Sequence, residues 1–138
     1  MTLLTVNAAS TWGMVGVIWF VQLVHYPLFA AYARDGFGRT MAAHQRQTFW
    51  VVFPLMLTEL VTSLALVAVR GDALVWAGAG CVGVWGLSTV LVQVPLHGRL
   101  ERGGPDPAAV RRLVRTNWVR TAAWTLHGLL VGRMLTAA

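Results

Sequence analysis

Polar positions are rare along this chain, and they fall in a repeating order. Four apolar stretches, at about 4–29, 47–69, 73–96 and 117–135, alternate with short arginine-bearing segments. A helix needs roughly 20 apolar residues to cross a bilayer. The pattern therefore predicts one all-α domain, an integral membrane four-helix bundle. Its halves also repeat. Leu23-Val24-His25-Tyr26-Pro27-Leu28 returns as Leu91-Val92-Gln93-Val94-Pro95-Leu96. The same offset pairs Thr48, Trp50 and Val51 with Thr116, Trp118 and Val119, Arg34 with Arg102, and Gly36 with Gly104. Two repeated helical hairpins, 1–68 and 69–138, are expected around a pseudo-twofold axis. Under this offset His25 faces Gln93, and Glu59 faces His127. Pro27 and Pro95 are expected to end helices 1 and 3 with little disruption, and Pro54 to kink helix 2 or free a carbonyl.

Composition agrees with a bilayer. The chain is 57% apolar and 12% charged, where a soluble domain carries about a quarter charged residues. Glu59 is the sole charge between Arg46 and Arg70, and none lies between Asp72 and Arg99. All eleven basic residues are arginine, and the pI is near 11.4. In a soluble protein that balance would suggest nucleic acid. Here the arginines suit orientation and anionic lipid heads, so no nucleic-acid partner is expected. Arg34, Arg39, Arg46, Arg99, Arg102, Arg111, Arg112 and Arg115 fall in the two long loops, with Arg70 and Arg133 on the other side. The positive-inside rule then predicts a multi-pass protein of a bacterial inner membrane, both termini outside and both long loops cytoplasmic. Asp106-Pro107 reads as an N-cap and first helical residue, so helix 4 is expected to start in the headgroup region. Cys81 stands alone and reads as packing. Gly80, Gly83 and Gly86 allow close helix approach, and with it a homo-oligomer.

Candidate chemistry lies in polar residues that do not belong in lipid. Gln22 and His25 share a face of helix 1, Gln93 and His97 a face of helix 3, and Asn117 and Arg120 a face of helix 4. With His44 and Tyr26 they converge on the cytoplasmic end. Glu59 and His127 each lie eleven residues, about 16 Å, beyond Thr48 and Thr116, at equal depth on repeat-related helices, where an unpaired carboxylate is costly. They are predicted to form a buried pair. Each residue also has a structural reading: helix bridging for Gln22, Gln93 and Asn117, capping or solvation for the histidines, snorkelling for Arg120, and register fixing for the pair. No metal-binding spacing such as H-E-x-x-H occurs, and no P-loop or dinucleotide fingerprint. The chain names no cofactor, and metal ligation is left open.

Gln93-Val94-Pro95-Leu96-His97-Gly98-Arg99-Leu100, followed by Leu113-Val114-Arg115-Thr116-Asn117-Trp118-Val119-Arg120-Thr121, resembles small bacterial four-helix membrane proteins of unknown function. More distantly it resembles the anthrone-oxygenase-like membrane family, in which His97 is often replaced by Asn. That resemblance implies cofactor-poor oxidation of a hydrophobic substrate, with Asn117, Trp118 and Arg120 near the site.

The expected function is a small membrane enzyme of oxidoreductase or oxygenase type. It would take a lipophilic small molecule from the bilayer, with His25, His97, Arg120 and Asn117 catalytic and Gln22, Gln93, Tyr26, Trp118 and His44 binding substrate. The alternative is a small transporter or an accessory subunit of a larger membrane complex.

Overall fold

The computed structural model describes residues 2–137. Among them the chain forms four long helices and no strand. Helix α1 runs Thr2–Ala31, α2 Phe37–Val69, α3 Ala73–Gly103 and α4 Pro107–Thr136. Each packs against the next, and α4 closes the ring against α1. Three of them, α1 to α3, are long and apolar enough to cross a membrane. The fourth is less apolar than expected because its inward stripe is polar: Asn117, Arg120, Thr121 and His127 are all buried. Outside, the distribution is inverted. Large apolar side chains such as Trp50, Val69, Leu91 and Leu129 are exposed. A surface of this kind matches hydrocarbon rather than water.

The helices are longer than the apolar stretches. Helix α2 begins at Phe37 rather than near 47 and α3 continues to Gly103, while α4 begins at Pro107, where the Asp106-Pro107 cap places it, ahead of its apolar stretch from about 117. The expected long loops shrink to 32–36 and 104–106. Arg39, Arg46, Arg99, Arg102, Arg111, Arg112 and Arg115 therefore stand on helix ends. Those end turns are amphipathic, and they bury Phe37, Met41, Leu100, Val110 and Leu113 while the arginines stay outside. Asp106 caps α4 by accepting from the Ala108 amide at 2.9 Å.

Neither α1 nor α3 ends at its proline. Each instead contains one π-helical turn, Val21–His25 and Thr89–Gln93, and these too lie 68 residues apart. The Tyr26 amide donates to the Val21 carbonyl, and the Val94 amide to that of Thr89. Proline has no N–H, and its ring crowds the carbonyl four residues back. A wider turn just before it accommodates that crowding and lets the helix continue. Within these turns Gln22 and Gln93 are turned inward. Gly36 and Gly104, also offset by 68, have φ of 79° and 80°, a region that disfavours other residues. Pro54 leaves α2 helical from end to end.

The buried apolar residues form two clusters. One reaches from Met14 and Phe29 to Trp124, and the other joins Leu4, Ala8, Leu66, Val75, Val131 and Met134. On α4 the buried polar residue between Trp124 and Val131 is His127, and a polar layer crosses the bundle there.

Candidate functional site: a cavity between helices α2 and α3

A cavity of about 610 Å³ opens between α2 and α3. Its apolar walls include Phe49, Val52, Phe53, Met56 and Val94, and its polar groups are Tyr26, His44, Gln45, Arg46, Thr48, Thr89, Gln93, His97, Glu101 and Arg120. The site thus draws on all four helices.

His97 is the best-defined base. Its Nδ1 lies 2.8 Å from the Gln93 carbonyl oxygen. A carbonyl can only accept, so Nδ1 carries the hydrogen and Nε2 keeps a free lone pair. The His97 ring stacks on His44 with centroids 5.7 Å apart. His44 Nδ1 in turn lies 3.0 Å from His25 Nε2 and 3.0 Å from Thr48 Oγ1. Three histidines from three helices therefore meet at one end of the bundle. Their rings stack and hydrogen-bond to one another instead of facing a common centre. Among the described residues, no group of three His, Cys, Asp or Glu side chains is arranged to hold a metal ion.

Arg120 is the second element. It is 7% exposed. Its Nη1 donates to Asn117 Oδ1 at 3.2 Å, and the guanidinium lies 5.0 Å from the Trp124 ring centroid. The Tyr26 side chain is beside it. Arg120 Nε has no hydrogen-bond partner, and neither does Gln93 Oε1. Among the described residues the ion pairs are Arg70–Asp72, Arg99–Asp106 and His127–Glu59, so no carboxylate answers Arg120. The Gln93 amide orientation follows from its neighbour. Thr116 Oγ1 donates to the Arg112 carbonyl at 2.7 Å, so it accepts from Gln93 Nε2 at 3.1 Å and leaves Oε1 free.

Other expected site residues fall behind the cavity or away from it. Gln22 is used up by helix bridging. Its Nε2 donates to the Val114 carbonyl, and its Oε1 accepts from Asn117 Nδ2 at 2.9 Å and Thr121 Oγ1. Asn117, fully buried, links Gln22 to Arg120. Neither is among the residues that line the cavity. His25 lines a different groove, about 510 Å³, on the α1 side of α2, which shares His44, Thr48 and Val52 with the first. Trp118 faces outward at 45% exposure, edge-on to Trp19, in a shallow groove with no histidine or arginine. Trp118 is thus set apart from the α2–α3 cavity, because the helical turn from Asn117 carries it to the outer face.

The deeper layer is closed. Glu59 is fully buried; His127 Nδ1 donates to its Oε1 at 2.6 Å, and Trp124 Nε1 donates to its Oε2 at 2.7 Å. Asn7 Nδ2 reaches Thr62 Oγ1, Ser63 Oγ and the Glu59 carbonyl from α1. Sequence reasoning missed Trp124. The signal was present, since Trp124 lies four residues after Arg120 and three before His127 and so shares their face. Trp124 also stacks on Trp85, with centroids 4.9 Å apart and planes at 15°. Its indole thus separates the two polar layers while touching both.

No protein-family model matches this chain, and no curated protein or solved structure is significantly similar to it.

Proposed function

We propose that this protein is a small integral-membrane enzyme, oxidoreductase- or oxygenase-like, that draws a lipophilic substrate from the bilayer into the α2–α3 cavity. The single observation behind the reading is the pairing of a free imidazole nitrogen, His97 Nε2, with the buried Arg120 in one apolar-walled space. His97 would act as general base on a weakly acidic C–H or O–H of the substrate. Arg120 would hold the oxygen that carries negative charge, where low dielectric strengthens the attraction. Gln93 Oε1 would accept a hydrogen bond from the substrate and orient it. Asn117 and Gln22 would hold Arg120 in place from behind.

The oxygenase part of the proposal draws on the resemblance described above. Dioxygen would be the second substrate: the deprotonated carbon forms a C–O bond to it, and His97 returns its proton to the resulting peroxide. The arginine-bearing helix ends would face the cytoplasm, with this cavity at that side. Transport is less well supported. The Trp85–Trp124 stack and the two apolar clusters fill the interior between and beyond the polar layers.

The test uses protein in lipid nanodiscs and a panel of lipophilic ketones and phenols in D₂O. Mass spectrometry follows exchange at the acidic position, and an electrode follows oxygen uptake. Exchange that requires His97, and is lost in folded His97→Gln, is the expected result. Absence of exchange and of oxygen uptake across the panel would remove the enzyme reading. Exchange without oxygen uptake would keep acid–base chemistry and remove the oxygenase.

A further inference from the structure

The cavity is one negative charge short. Its charged lining groups are Arg46, Glu101 and Arg120. Glu101, which accepts from Gln45 Nε2 at 2.7 Å, offsets Arg46 in sign. Nothing offsets Arg120. It is more than nine-tenths buried, its Nε has no partner, and no ion pair among the described residues includes it. Asn117 Oδ1, the hydrogen-bonded Tyr26 hydroxyl and the Trp124 face supply partial negative charge, not a full counter-ion. A desolvated cation is unfavourable unless it is paired, and the apolar walls make water a poor substitute.

From this imbalance we infer that the α2–α3 cavity binds an amphiphile with a singly anionic oxygen head group, the head on Arg120 and the apolar tail along Val52, Phe53, Met56 and Val94. The inference rests on the cavity being the functional site and names the class of molecule it takes. A small inorganic anion would leave those walls uncovered. A neutral lipid would leave the charge unbalanced. Carboxylate and phosphate heads share the required chemistry, and both occur on long apolar tails.

Native mass spectrometry of the full chain, released from phosphatidylcholine nanodiscs, can compare three probes with one tail: oleate, methyl oleyl phosphate (a diester with a single negative charge) and oleyl alcohol. We expect one anionic probe per chain, preferred over the alcohol by about tenfold or more, the size of one charge-assisted hydrogen bond. Arg120→Gln should abolish that preference. Arg111→Gln, exposed on α4 and outside the cavity lining, should retain it. Preference for methyl oleyl phosphate over oleate assigns a phosphate head, and the reverse assigns a carboxylate. Equal retention of the alcohol, or an undiminished preference in Arg120→Gln, overturns the inference. His97-dependent exchange would survive that outcome, because a neutral substrate ionised in place would still be turned over. If Arg120→Gln fails to fold, ¹⁵N-arginine spectra of the unaltered protein decide. The Arg120 Nε–H resonance must shift with an anionic probe and not with the alcohol.

Discussion

The two polar layers of this bundle use similar residues to opposite ends. Around Glu59 both carboxylate oxygens are taken, by His127 and Trp124. Around Arg120, about 10 Å away along α4, the charge has no counter-ion, Gln93 Oε1 has no donor, and His97 Nε2 is free beside a cavity. The difference separates buried polar residues that satisfy one another across the bundle from those left with unused donors and acceptors. A satisfied layer ties down helix register. An unsatisfied one is stable only if something else completes it. The contrast is not absolute, because Asn7 Oδ1 and Thr11 Oγ1 on α1 also lack partners.

The largest expected effect tests the closed layer. Glu59→Ala leaves two buried N–H donors, on His127 and Trp124, without acceptors. Removing one partner of a buried pair costs about 3–5 kcal/mol, so thermal unfolding in mild detergent should fall sharply. Glu59→Gln, which keeps an acceptor, should cost less. A Glu59→Ala protein as stable as the parent would place the register elsewhere. Next comes Gly78→Ala. A Cβ there would lie 3.0 Å from His127 Cδ2 and Nε2, and such overpacking costs about 1–3 kcal/mol. The His127 ring resonances should move with it.

Arg120 should behave in the opposite way to Glu59. Arg120→Met removes an unanswered charge, and replacing buried charge with apolar volume is often neutral or stabilising by about 1–4 kcal/mol. We expect unfolding at the same or higher temperature, with loss of ligand preference. A destabilisation as large as that of Glu59→Ala would show both layers to be structural. Trp118→Ala, on the outer face, should change stability by no more than about 0.5 kcal/mol and leave cavity binding intact.

The smallest effect belongs to the α3 cap. The Val75 amide holds the Asp72 carboxyl below its usual range, helped by Arg70 and the Leu74 amide. A carboxyl lowered on folding contributes fully above the ordinary aspartate value of about 4 and loses that contribution as pH falls through its folded value. Asp72→Asn keeps a cap without the charge, so the acid limb of a stability–pH curve should flatten slightly.

Much of this was legible in the residue pattern. Apolar runs broken by arginine marked four helices, because a continuous apolar run of that length can satisfy its backbone in hydrocarbon within one segment only as a helix. Depth counting from Thr48 and Thr116 brought Glu59 and His127 level, because helical rise is regular. The same counting could not show that α2 and α4 turn these side chains towards each other across the ring. It also misjudged the prolines. Pro27 and Pro95 looked like helix ends, yet a π turn ahead of each lets the helix run on, because backbone widening can relieve the ring's crowding. Trp118 was grouped with Asn117 as a site residue, although neighbours on a helix point about 100° apart.

By itself, the sequence determined that the chain is helical, that its outside is apolar, and which few polar residues lie within. These follow from local composition and period, which each segment carries alone. Tertiary structure decided which polar residues satisfy one another and which do not. Glu59 could have faced lipid, Arg120 could have met a carboxylate, and Gln22 could have lined the cavity. The packing of four helices settled these choices together, because a hydrogen bond depends on the position of two helices and a residue pattern describes only one.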